Sequence, residues 1–150
     1  MVLKQQIEQN LKAALLSGDK QQVATLRGLK SVIQYAEVAK NARETGLPDD
    51  EIMSLIKKES EKRQESADLY SQGHEEARAE AELKEKTILD AYLPKQLSDS
   101  ELLVVIDEVI KTNGTDGPHA MGQIIGQVKQ KVGASADGAT IARLTKERLV

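Results

Sequence analysis

The sequence predicts an all-α protein, with a four-helix N-terminal domain over residues 1–94 and a three-helix C-terminal domain over residues 95–150. Three observations predict it. Aliphatic residues recur at intervals of three and four along most of the chain, and no stretch alternates with the two-residue period of a half-buried strand. Phe and Trp are absent and Tyr occurs three times, while the good helix formers Ala, Leu, Glu, Lys and Gln fill the sequence. Gly, Asn or Pro closes the aliphatic runs, and a new helix start follows. With 150 residues and 39% hydrophobic content, the chain can bury one core or two small ones.

Leu3, Ile7, Leu11, Ala14 and Leu15 form the stripe of a first helix, which Gly18 stops, and Asp19 caps the next. The second helix is expected over 20–43 and turns Leu26, Leu29, Val32, Ile33 and Ala36 inward. Gly46, Leu47 and Pro48 break the pattern. Asp49 or Asp50 is then expected to cap a third helix that runs to Gln72 and is stopped by Gly73. Its stripe opens with Ile52, Leu55 and Ile56, turns polar at Glu59, Arg63 and Ser66, and resumes at Leu69 and Tyr70. A fourth helix over 75–93 is acidic at its start, apolar at its end through Ile88, Leu89, Ala91 and Tyr92, and closed by Pro94.

Residues 94–97 read as the domain boundary, because a helix with its own entry geometry follows. Ser98 and Glu101 have the spacing of a capping box, and Leu97 with Leu102 that of a hydrophobic staple. This fifth helix holds Leu102, Leu103, Ile106, Val109 and Ile110 and ends at Asn113 and Gly114. A loop at 115–118 leads to a sixth helix with Met121, Ile124, Ile125 and Val128 inward. After a turn at 133–137, a seventh uses Ile141, Leu144 and Leu149.

Several function classes fall away on composition. The absence of cysteine excludes disulfides, zinc ribbons and thiolate nucleophiles. The opening residues have no apolar core of a signal peptide and no stretch approaches membrane-spanning length, so a cytoplasmic location and no membrane partner are expected. A formal net charge of -3 leaves no single-sign field, so any binding to nucleic acid must use a local patch.

The strongest local patch is in the second helix. Between 20 and 43 five basic residues, Lys20, Arg27, Lys30, Lys40 and Arg43, face one acid, Glu37. Lys20, Arg27 and Gln34 stand seven apart on one side, with Lys30 alongside. Such a row is commonly a solvated face, but its charge is not neutralised locally and suits phosphates or an acidic protein surface. Glu59 lies where the stripe predicts burial, with Arg63 one turn on and Ser66 beyond; either this polar patch has a role or the helix outruns its partner and the stretch is wet. Gly122 and Gly126 share a helix face and read as a site of close backbone packing. His74 and His119 read as solvated residues at helix starts. No set of residues reads as a metal site, a nucleotide loop or a catalytic constellation, so no cofactor and no catalytic residue is expected.

The combination Leu26-Arg27 with Leu29-Lys30, Arg63 with Glu65-Ser66, Gly73, Ile88-Leu89, Tyr92-Leu93-Pro94 with Gln96-Leu97-Ser98, Met121-Gly122 and Ala136-Asp137-Gly138 resembles the YqeY family, also called GatB/YqeY-domain proteins. The resemblance covers nearly the whole chain. It implies a C-terminal domain similar to the tail of the B subunit of the tRNA-dependent amidotransferase, where the tail engages tRNA and the transamidation site lies elsewhere. In the family the turn before the last helix resembles a basic run, Lys-Gly-Arg-Ala-Asp-Gly-Lys. Here it is Gly133-Ala134-Ser135-Ala136-Asp137-Gly138-Ala139, three cations fewer, with Asp137 retained as a cap and with Lys129, Lys131, Arg143, Lys146 and Arg148 as substitutes.

Three functions are consistent with these features. The leading one is a non-catalytic accessory protein that binds tRNA or another structured RNA through its GatB-tail-like C-terminal domain, with Lys20, Arg27, Lys30, Lys129, Lys131, Arg143 and Lys146 as the candidate RNA-binding residues. The second is a helical adaptor for a protein such as the amidotransferase or a synthetase, using the Glu59, Arg63, Ser66 patch. The third, glutamine-dependent amide transfer with carbon–nitrogen ligase activity, lacks visible machinery in the sequence.

Overall fold

The computed structural model describes residues 2–114 and 120–149. Every regular element among them is helical: α1 (Val2–Ser17), α2 (Lys20–Ala39), α3 (Asp49–Gln72), α4 (Glu76–Asp90), α5 (Asp99–Asn113), α6 (Ala120–Val132) and α7 (Gly138–Leu149), with a 3-10 turn at Gly133–Ser135. The chain divides into two compact units, Met1–Leu93 and Pro94–Val150. His119 and the 115–118 loop lie outside the described residues.

In the first unit the stripes expected from spacing meet in one core. Leu3, Ile7 and Leu11 of α1 join Leu26, Leu29 and Ile33 of α2, Ile52 and Ile56 of α3, and Leu89 of α4. Each fully buried aliphatic side chain contributes roughly 1.5–3 kcal/mol by leaving water. Leu47 of the α2–α3 loop closes the same core. Two residues expected to extend the stripes lie outside it: Leu15 is 49% and Leu69 67% exposed. Ala14 and Ala67 hold the inward positions beside them.

Three helices in this unit end in the same way, with a left-handed residue that lets the next amide reach back five residues to a helix carbonyl. Gly18 (φ 76°) does this for α1, where the Asp19 N–H donates to the Ala14 carbonyl at 3.0 Å. The second case corrects the sequence reading. α2 stops at Ala39, short of Arg43, because Asn41 adopts φ 55° and the Ala42 N–H closes on the Glu37 carbonyl at 2.7 Å. Asn tolerates this conformation through its short polar side chain. The third is also a correction: Gly73 has an ordinary φ of -86°, and His74 (φ 60°) is the residue that terminates α3, with the Glu75 N–H donating to Tyr70 O at 2.8 Å.

The entry to α3 and the exit of α4 differ from expectation too. Pro48 occupies the α3 N-cap without a side-chain bond, and Asp49, Asp50 and Glu51 sit inside the first turn, where the helix dipole favours them. Asp49 Oδ1 accepts from the Leu3 N–H at 3.4 Å. α4 ends at Asp90, and residues 91–93 continue as tight turns in which Tyr92 and Leu93 donate to Leu89 O and Asp90 O.

The second unit follows its sequence signals closely. Ser98 Oγ accepts from Glu101 N–H at 3.2 Å while Glu101 Oε1 accepts from Ser98 N–H at 3.2 Å, completing the capping box. The hydrogen bond from the Ser98 amide holds the Glu101 carboxyl below the usual carboxylate range. Leu97 packs against a core of Leu102, Ile106, Val109, Ile124, Val128, Ile141 and Leu144. Met121 and Ile125 are only half-buried, and Ala120 takes the inward place at the start of α6. Asp137 caps α7, its Oδ1 accepting from the Thr140 N–H at 2.6 Å. Asn113 and Gln127 exchange amide hydrogen bonds of 2.7 and 2.9 Å, which ties the end of α5 to α6.

Candidate nucleic-acid interface

α2 presents an exposed line of side chains at positions 20, 24, 27, 31, 34 and 38, the four-three spacing of one helix face. At 1.5 Å per residue the line runs about 27 Å. Lys20 and Arg27 are exposed on it and Lys30 is half-buried alongside; among the described residues none of the three meets a carboxylate. The other basic residues of the region differ. Lys40 is paired with Glu51 at 2.9 Å, whereas Arg43, set beyond the helix by the Asn41 turn, is exposed and unpaired among the described residues.

At the far end of this face the side chains of Lys4, Ser31, Gln34, Tyr35, Glu37 and Arg43 surround an open groove of about 650 Å³. Glu37 continues the inward stripe Leu26, Leu29, Ile33 and is buried, its side chain only 4% exposed. Lys4 Nζ reaches both of its oxygens, at 3.0 and 3.1 Å. A carboxylate removed from water must be compensated in this way. Tyr35 is at the opposite extreme, with 82% of its surface exposed.

The cations of the second unit are disposed differently. Arg143 pairs with Asp99 at 3.1 Å and with Glu147 at 3.4 Å, and the hydrogen bond to Asp99 pushes its pKa above the ordinary arginine value. Arg148 holds Asp107 with two bonds, at 2.9 and 3.2 Å. Lys131 and Lys146 are exposed without a carboxylate partner among the described residues. Lys129 is exposed as well, but its end lies over the start of α7: a Cβ placed on Gly138 would meet Lys129 Cε at 3.3 Å.

The polar patch of α3 lies against α4 and is not wet along its length. Glu59 is buried, Lys62 reaches it at 3.2 Å, and Arg63 Nη2 lies 3.9 Å from it. Arg63 Nε lies 2.9 Å from Glu85 Oε2 and 3.8 Å from Glu82 Oε2, ion pairs without hydrogen-bond alignment. One turn away, Ser60 donates to Asp90 at 2.5 Å and Lys86 pairs with the same carboxylate at 2.6 Å. Ser66 is half-buried. A slip of one turn along either helix would separate Arg63 from its α4 partners.

The profile of the family described as Yqey-like protein matches residues 4–149. The chain belongs to the YqeY family. Among curated proteins, none matches it.

Within this YqeY chain, then, the exposed face of α2 carries cations without carboxylate partners among the described residues, and Tyr35 stands exposed on the same helix. Among the described residues no three His, Cys, Asp or Glu side chains converge to hold a metal ion, and no helix is long and apolar enough to cross a membrane. In the groove, Lys4 is engaged by Glu37, and Ser31 makes no hydrogen bond to either of them. Gly122 and Gly126 meet nothing within 4 Å of an added Cβ, so they do not serve the close packing their spacing implied. His74 is a turn residue. The sequence reading passed over the groove, yet one signal was present: Glu37 interrupts an aliphatic stripe just as Glu59 does.

Proposed function

We propose that the protein is a non-catalytic RNA-binding accessory factor, with tRNA as its partner, and that α2 supplies the principal phosphate contacts. The observation behind this reading is the row Lys20, Arg27 and Lys30, which no carboxylate of the described residues neutralises. Cations already paired must break a bond before they meet a phosphate, while unpaired ones release counterions from the nucleic acid directly. Lys131 and Lys146 support the same reading for the second unit, with Lys129 beside them, and the family's likeness to the amidotransferase tail points to tRNA. Arg143 contributes least, since Asp99 and Glu147 already hold it. Recognition of this type reads the shape and phosphates of a folded RNA and needs few base contacts.

Electrophoretic shift of total tRNA by the full chain, at about 20 mM and again at 200 mM salt, is the test. Strong binding that weakens steeply with salt is expected, and no shift at the lower salt would end this reading. An adaptor role has one specific observation in its favour, the pair Leu15 (49%) and Leu16 (91%) exposed at the end of α1. Stoichiometric recovery of a protein, insensitive to nuclease and lost in Leu16→Glu, would favour it.

A further inference from the structure

Resting on the RNA reading above, we propose that the groove beside Tyr35 takes the base of an unpaired nucleotide, stacked on the tyrosine ring, with the adjoining phosphate at Arg43. A ring that is 82% exposed adds almost nothing to its own fold, and it is one of only three aromatic side chains in the molecule. It lies on the same side of α2 as Arg27, one turn past Ser31, so a strand following the cation row arrives at it.

The groove has room for a nucleoside: its 650 Å³ falls within the span of about 300–1,000 Å³ usual for small-molecule sites. Charge is distributed as a base with an external phosphate requires. The floor is the Lys4–Glu37 pair, whose charges cancel, and Arg43, unpaired among the described residues, stands on the lining. Ser31 and Gln34 have no hydrogen-bond partner within the described chain, which leaves a hydroxyl and an amide to meet a base edge. Single-stranded RNA is recognised in this manner, by stacking of splayed bases on aromatic rings beside cations that follow the backbone. A continuous duplex would engage Lys20, Arg27 and Lys30 through phosphates and leave the ring unused.

The test is a short single-stranded RNA with one central 2-aminopurine, titrated with the native chain, Tyr35→Ala and Tyr35→Phe, beside tRNA binding by the same three proteins. Quenching of the probe by the native chain and by Tyr35→Phe is expected, with quenching abolished and binding weakened about tenfold in Tyr35→Ala, the loss typical of one base–aromatic stack. The salt dependence of tRNA binding is expected to be the same in all three, because the cation row is untouched. Equal RNA affinity and equal quenching in Tyr35→Ala would overturn the proposal while leaving the RNA reading in place. Absence of tRNA binding by the native chain would remove the parent reading and this one with it.

Discussion

In the first unit two carboxylates enter the interior, Glu37 held by Lys4 and Glu59 held by Lys62 and Arg63, while Lys20, Arg27 and Lys30 of α2 have no carboxylate partner among the described residues. In the second unit the core is aliphatic and the arginines of α7 are tied to Asp99 and Asp107 at the surface. The same residue types thus do opposite work. Inside the first unit buried carboxylates are compensated by nearby cations, and outside it those three cations of α2 have no such partner among the described residues. In the second, the two arginines of α7 are held in exposed pairs, while Lys131 and Lys146 have no carboxylate partner among the described residues.

Breaking the Lys4–Glu37 pair is expected to have the largest effect. Lys4→Met leaves a buried carboxylate uncompensated and is expected to cost about 3 kcal/mol, less than a wholly enclosed pair because Lys4 is itself 28% exposed. Urea unfolding measures it, and Lys4→Met with Glu37→Leu is expected to recover most of the loss. A single variant as stable as the native chain would mean that the interior of this unit tolerates a free charge, and the contrast would collapse.

Next in size is the surface half of the comparison. Removing Lys20, Arg27 and Lys30 together is expected to weaken tRNA binding about thirtyfold and to flatten the log–log salt slope by up to about 3, one unit for each phosphate contact. Arg143→Ala with Arg148→Ala is expected to change affinity less than about twofold, since both side chains are already paired. The reverse ranking would move the interface to the second unit.

Smaller effects sharpen the local picture. His74→Gly removes the penalty of a left-handed side chain and is expected to raise stability by about 1 kcal/mol in thermal melts. Thr145 is fully buried and its hydroxyl has no partner among the described residues, a polar lapse in an otherwise aliphatic core. Thr145→Val is therefore expected to stabilise by somewhat under about 1 kcal/mol. Glu101 gives the smallest effect. Its folded pKa is lowered, so the stability it adds is complete above the ordinary glutamate pKa and is lost as pH falls through the lower folded value. Glu101→Gln is expected to flatten the acid limb of melting temperature against pH, and an unchanged limb would assign that limb to other carboxylates.

The helical character of the chain and its capping box were legible because they depend on residues close in sequence. Ser98 and Glu101 are three apart, and Leu102, Ile106 and Val109 reveal their face by spacing alone. Helix ends were less legible. Asn41 and His74 carry no mark of a left-handed turn when Gly73 and Gly46 stand nearby as more permissive stops, and tertiary closure by Ala42 and Leu47 decides where α2 finishes. The groove was hidden for another reason. Its Lys4–Glu37 floor joins residues 33 apart, and no periodicity announces which distant lysine will answer a buried acid.

The α3–α4 turn has a practical meaning. Residues 71–78 are all exposed, and the chain reverses there through a compact set of main-chain bonds around His74. Nothing in the core depends on the identity of these side chains, so the tip will accept an inserted peptide tag or a fluorophore-bearing cysteine, the sole thiol in the molecule. Such a label would report on partners from a site remote in sequence from both Tyr35 and the α7 arginines, without touching a residue assigned to either.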